Sequence, residues 1–135
     1  MANLIYDAAL SFGKLASPIA TGNFPDILNL GRVPGSSDQY PGKEFTNADR
    51  LTVDVCCDSP DGGTGITVTV QGSADGSSGW TDVGKNTFTL ADMEAGPCQV
   101  AISPNGLQYL RVAVTASGTF TDGSAEAYLN TYAGK

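Results

Sequence analysis

Hydrophobic and polar positions alternate along most of this chain, with the period of a strand rather than of a helix. In "RLTVDVCC" the residues Leu51, Val53, Val55 and Cys57 fall on one side and Thr52, Asp54 and Cys56 on the other, the pattern of a half-buried strand. "GITVTVQG" repeats it with Ile66, Val68 and Val70 facing inward. Between them "DSPDGG" has turn composition, which predicts a hairpin with a medium loop. Strand-length segments recur at "DILNL", "GWTDV", "NTFTL", "CQVAIS", "LQYLRVAVT" and "SAEAYLNTY". The stretches separating them, "ADMEAGP", "SPNG" and "TFTDGS", carry the Gly, Pro, Asp and Asn of turns. About eight strands with no long helix between them predict an all-β fold, an antiparallel β-sandwich or jelly roll. No internal repeat is visible, which disfavours solenoids and propellers.

Two segments lack the alternation. Met1 to Pro25 mixes a short amphipathic piece (Leu4, Ile5, Ala8, Ala9, Phe12) with "SPIATGNFP" and is expected to be an extended N-terminal arm preceding a single domain over residues 26–135. Extended, such an arm reaches on the order of 80 Å, so it either crosses onto a neighbouring subunit or packs back on its own sheet. A chain lacking residues 1–24 is expected to fold yet fail to bind its partner. The second segment is the long loop Gly31 to Asp49, interrupted by two prolines. Apolar and cationic groups in these unpatterned stretches are the candidates for contacts with a partner: Leu4, Ile5, Tyr6 and Phe12 in the arm, and Tyr40, Lys43 and Phe45 in the loop.

Composition narrows the function. Seventeen Gly and seven Pro suit many tight corners. A net charge of −7 repels phosphate backbones and anionic lipid, so nucleic acid and membrane are not expected as partners. No run approaches the roughly 18–20 apolar residues of a membrane span, and no basic start leads into an apolar leader, which predicts a product made in the cytosol. Three cysteines, Cys56, Cys57 and Cys98, fit reduced thiols in apolar surroundings, while a bridge from Cys56 or Cys57 to Cys98 requires those strands to be neighbours.

Catalytic chemistry finds little to work with. The chain contains no His, which removes the commonest general base and metal ligand together. Adjacent Cys56 and Cys57 point to opposite faces of a strand and make a poor metal clamp. "DGGTG" lacks the Lys-Ser/Thr and the helix of a phosphate loop, and the loop aspartates Asp58, Asp61, Asp75, Asp82 and Asp122 lack calcium-loop spacing. No cofactor or metal is expected, and no enzymatic activity. The Gly/Ser/Asp segment "QGSADGSSGW" is then either a corner between strands or a binding loop, and Trp80, the single Trp, either plugs the start of the next strand or lies on a binding face.

The run "LTVDVCCDSPDGGTGITVTVQGSADGSSGWTDV", followed by "NGLQYLRVAVTASGTFTDGSAEAYL", resembles the capsid cement (decoration) proteins of tailed bacteriophages. There a "TVTVQ" strand leads to an "S-x-DG" turn, and a later "YLR" strand precedes "GTFT-x-G". The resemblance covers roughly residues 26–131. It implies a jelly-roll-like sandwich, a homotrimer, and a place on the outer surface of an icosahedral head, where the trimer clamps neighbouring copies of the major capsid protein. The loop Gly31 to Asp49 and the spacer "NTFTLADMEAGPCQVAI" depart from that pattern. "VQGSADGSSGWTDV" and "QYLRV" are also similar to the discoidin-type glycan-binding sandwich, which would imply a carbohydrate-binding module, and a phage tail or baseplate component is a third alternative.

Overall fold

The computed structural model describes residues 11–29, 51–102 and 108–131. Its elements are β1 (Ser11–Leu15), β2 (Gly22–Asn23), β3 (Leu28–Asn29), β4 (Leu51–Ser73), β5 (Thr81–Thr89), α1 (Leu90–Ala95), β6 (Cys98–Ile102) and β7 (Tyr109–Thr131). The strands form one antiparallel sheet of seven, an all-β fold with a sandwich-like arrangement, as the alternation predicts.

The main departure from expectation lies in β4. "DSPDGG" does not reverse the chain: β4 runs unbroken through it for 23 residues. It pairs along its whole length with β7, also 23 residues, from Leu51 opposite Thr131 to Ser73 opposite Tyr109. The second turn-like motif, "TFTDGS", lies inside β7 directly across from the first, with Asp58 opposite Ser124 and Asp61 opposite Asp122. The register slips repeatedly between Asp58 and Gly65, so each motif supplies bulges that bend the paired strands together. Gly123 shows why such residues are needed: its φ is +104°, and a Cβ there would meet the Pro60 Cα at 2.6 Å. Turn composition therefore produced a bend shared by two strands.

The bend divides the ribbon into two layers. On one side the strand order is β6, β4, β7, β1; on the other it is β5, β4, β7 and then the short β2 and β3. The layers enclose a single core. Val53 and Val55 come from the first half of β4, Ile66, Val68 and Val70 from the second, Val100 from β6, and Leu110, Val112, Val114, Ala127 and Leu129 from β7. Phe120, only 4% exposed, fills the inside of the bend. The layers also meet at Gly84, where a Cβ would stand 2.6 Å from the Ala101 carbonyl oxygen. "GWTDV" and "NTFTL" are not two strands, since Thr81–Thr89 is one strand with an irregularity opposite Val70 and Gln71. "ADMEAGP" contains the helical turn α1, opened by a reciprocal pair in which Thr89 Oγ1 accepts from the Asp92 N–H and the Thr89 N–H donates to Asp92 Oδ2.

The second departure concerns the expected arm. From Ser11 onward it belongs to the domain: β1 pairs with residues 125–128 of β7, β2 with 113–114 and β3 with 109–110. Cross-links hold the stretches between. Phe24 N donates to the Val112 carbonyl (2.9 Å), the Ala116 N–H to Thr21 Oγ1 (3.0 Å), and Ser17 Oγ to Asp122 Oδ1 (3.0 Å) at the bend. Phe12, Ile19 and Phe24 are core residues, 0%, 2% and 2% exposed. Three buried apolar side chains outweigh the weak local periodicity that suggested a free segment. The boundary expected near Pro25 therefore does not exist in the fold.

Candidate interaction surface

The site residues named from the sequence divide sharply. Leu4, Ile5, Tyr6, Tyr40, Lys43 and Phe45 lie outside the described residues. Phe12 is described and is not a surface residue: it sits in β1, fully buried, at an irregularity of the β1–β7 register between Ser11 and Gly13. It caps the protein's own sandwich, the other of the two roles open to it.

The "QGSADGSSGW" segment is a corner. Ser73 ends β4 with its side chain fully buried, and its hydroxyl accepts from the N–H groups of Asp75 (3.2 Å) and Gly76 (3.1 Å). Asp75 closes the turn from outside. Oδ1 of its carboxylate accepts from the N–H groups of Ser77 and Ser78, both at 2.9 Å, and Oδ2 from the Ser78 hydroxyl at 3.1 Å. The Ser77 N–H, then that of Ser78, and the Ser73 hydroxyl hold the carboxyl well below the usual carboxylate range. The acid is occupied in ordering its own loop, as Asp beside Gly usually is.

A different group emerges on the outer face of the second layer. Register places Asp82 of β5 and Arg111 of β7 on either side of Gln71 of β4. Gln71 Nε2 donates to Asp82 Oδ1 (3.0 Å) and Gln71 Oε1 accepts from Arg111 Nε (2.9 Å). The Arg111 guanidinium lies 4.3 Å from the centroid of the Trp80 ring, a cation–π contact. Trp80, just before β5, is half-buried, so neither expectation for it holds in its simple form. Below the row, Thr67 of β4 and Thr87 of β5 share a hydroxyl contact of 3.1 Å. This face is polar and internally hydrogen-bonded, with an aromatic and an arginine at one end. Gln71 and Arg111 stand in the "TVTVQ" and "YLR" motifs, but nothing local in the sequence marks their contact, because only the cross-strand register brings them together.

An open groove of about 610 Å³ lies between β5, α1 and β6, lined by Asn86, Thr87, Phe88, Asp92, Pro97 and Gln99 among others. Its acid, Asp92, is committed to the α1 cap. On the outer face of the first layer, buried Asp54 accepts from Thr52 Oγ1 (2.9 Å) and Gln99 Nε2 (3.3 Å). Among the described residues, no group of three or more His, Cys, Asp or Glu side chains could hold a metal ion. Compared with known proteins, the chain matches no family model and has no significant match to a curated protein.

Proposed function

We propose that this chain is a structural virion protein, a capsid cement protein that binds the outside of an icosahedral phage head as a homotrimer and ties neighbouring major capsid subunits together. The observation that carries this reading is the convergence of the motifs behind the resemblance. Gln71 of "TVTVQ", the Asp75-Gly76 corner and Arg111 of "YLR" neighbour one another at one end of the second layer, and "GTFTDG" forms the bend at its other end. Short motifs distant in sequence thus belong to one framework. The polar side chains of the corner and the cross-strand row bond to one another rather than to a vacant reaction centre, which suits a docking module.

The physics of the role is additive binding. A brace that buries a standard interface on several shell subunits raises the free energy of separating them. Three linked copies gain further, because each engaged copy holds the others near their sites. The contact residues under this reading are Leu4, Ile5, Tyr6, Tyr40, Lys43 and Phe45, without Phe12. The test is to separate heads from tails of the phage encoding the chain and to locate the protein by mass spectrometry, with light scattering of the purified protein. Trimers found on heads support the reading. Location in the tail fraction favours a tail or baseplate role, and absence from both fractions overturns a virion role altogether.

A second reading, a carbohydrate-binding module, draws support from Trp80 beside Arg111, Gln71 and Asp82, since an aromatic ring with adjacent amide and carboxylate groups suits a sugar. It ranks second because the guanidinium already covers one face of the ring. It predicts glycan-array binding that Trp80→Ala abolishes, and an array with no signal overturns it.

A further inference from the structure

Two of the three thiols meet inside the first layer. Val55 of β4 lies opposite Cys98 of β6, and Cys57 is the next residue along β4 on the same face, which places it diagonally across from Cys98. Diagonal neighbours of an antiparallel pair come within side-chain reach, and the two thiols are close enough for each to shift the acidity of the other. Their surroundings differ. Cys98 is 1% exposed. Cys57 is half-buried and forms part of a pocket of about 170 Å³, together with Cys56, Met93, Glu94, Gly96 and Pro97. Cys56 alternates to the opposite face of β4, across from Glu126.

We propose that Cys57 and Cys98 are a redox-active thiol pair that takes a small-molecule disulfide of the glutathione type as oxidant and closes into a β4–β6 disulfide. The pocket admits the oxidant to Cys57, and Cys98 is reached only through Cys57. In the first step the Cys57 thiolate attacks one sulfur of the oxidant. The oxidant's S–S bond breaks, one glutathione leaves and takes up a proton, and a mixed disulfide remains on Cys57. In the second step Cys98 gives up its proton and its sulfur attacks Cys57 Sγ, releasing the second glutathione as a thiol. Two protein thiols are oxidised and one disulfide is reduced to two thiols. The pairing favours this order, because the neighbouring Cys98 thiol lowers the Cys57 thiol below its ordinary value, whereas Cys57, together with burial, pushes Cys98 up. Closure fastens β6, five residues long and an edge strand among the described residues, to β4 and ties off a loop of roughly 40 residues. The inference does not depend on the virion role.

The experiment incubates the folded protein with oxidised glutathione, quenches with an alkylating agent and maps the linkages by mass spectrometry. Wild type and Cys56→Ser should both yield the Cys57–Cys98 bridge, reversed by dithiothreitol. The bridged form should melt roughly 5–15 °C higher than the reduced one. Cys98→Ser should stop at a glutathione adduct on Cys57, and Cys57→Ser should leave Cys98 unmodified. If either variant fails to fold, the wild-type map decides alone. Free thiols at both positions after incubation, a bridge that uses Cys56, or a mixed disulfide that persists on Cys57 of the wild type would each overturn the proposal.

Discussion

Phe12→Ala separates a segment built into the sandwich from one that merely trails from it. The Phe12 ring is fully buried, and burying a Phe removes about 200 Å² from water, which at roughly 25 cal/mol/Å² is about 5 kcal/mol as an upper figure. Measured Phe→Ala losses in cores run from about 3 to 5 kcal/mol, the cavity included. For 135 residues the unfolding entropy near the midpoint is about 0.28 kcal/mol/K, so the melting temperature should fall by roughly 11–18 °C. Urea unfolding followed by the fluorescence of Trp80, the chain's single Trp, should show a lower midpoint at an unchanged slope. A loss below about 1 kcal/mol would refute the placement of residues 11–15 in the core. The same reasoning reverses the expectation for a chain lacking residues 1–24. That deletion removes Phe12, Ile19 and Phe24, all 2% exposed or less, at a combined cost comparable with the whole stability of roughly 5–15 kcal/mol. It should not fold, and so cannot serve as a binding test.

Other consequences are open to measurement. Gly13 has φ +94°, and a Cβ there would meet the Pro25 Cγ at 2.5 Å, so Gly13→Ala should destabilise by more than about 1 kcal/mol; a neutral result in thermal melts would count against the β1 geometry. Asp75 is held charged by its loop, so its folded pKa lies below its unfolded value of about 3.9. Its contribution to stability is complete above that unfolded value and is lost as pH falls below it toward the folded one. Asp75→Asn should accordingly lose less melting temperature than wild type between pH 6 and pH 2.5, and parallel curves would contradict the loop geometry. Arg111→Ala removes the cation over Trp80 and the donor to Gln71, so the Trp80 emission should shift and stability fall by about 1 kcal/mol. Arg111→Lys should rescue it only in part, since Lys lacks the Nε–H that reaches Gln71, and full rescue would assign the effect to charge alone.

Much of the layer structure was legible because alternation is a direct consequence of burial on one face. Val53, Val55, Ile66, Val68 and Val70, assigned inward from period alone, are all in the core. What escaped was anything set by pairing. "DSPDGG" and "TFTDGS" have the composition of chain reversals, and a bulged bend draws on the same residues for the same reason, positive φ without a steric penalty. Only the fact that the two motifs oppose each other distinguishes the cases. Phe12 was missed because a five-residue strand ending in Gly-Lys-Leu carries too few positions to show a period. The Gln71–Arg111 contact spans 40 residues, and no local pattern encodes it. The capping pair of Thr89 and Asp92 was there to be seen, three residues apart before an apolar helix position, within a stretch whose Gly and Pro suggested a turn.

The twin long strands have a consequence for how the molecule comes into being on the ribosome. Leu51 waits for Thr131, so when β4 leaves the exit tunnel its chief partner has not yet been translated, and its apolar side lacks that cover until β7 has emerged. Neither layer can be completed early, since each borrows half of both strands. Assembly is therefore a largely all-at-once event governed by distant pairings, slow by the standards of small domains, and β4 is open to aggregation while the residues between it and β7 are made.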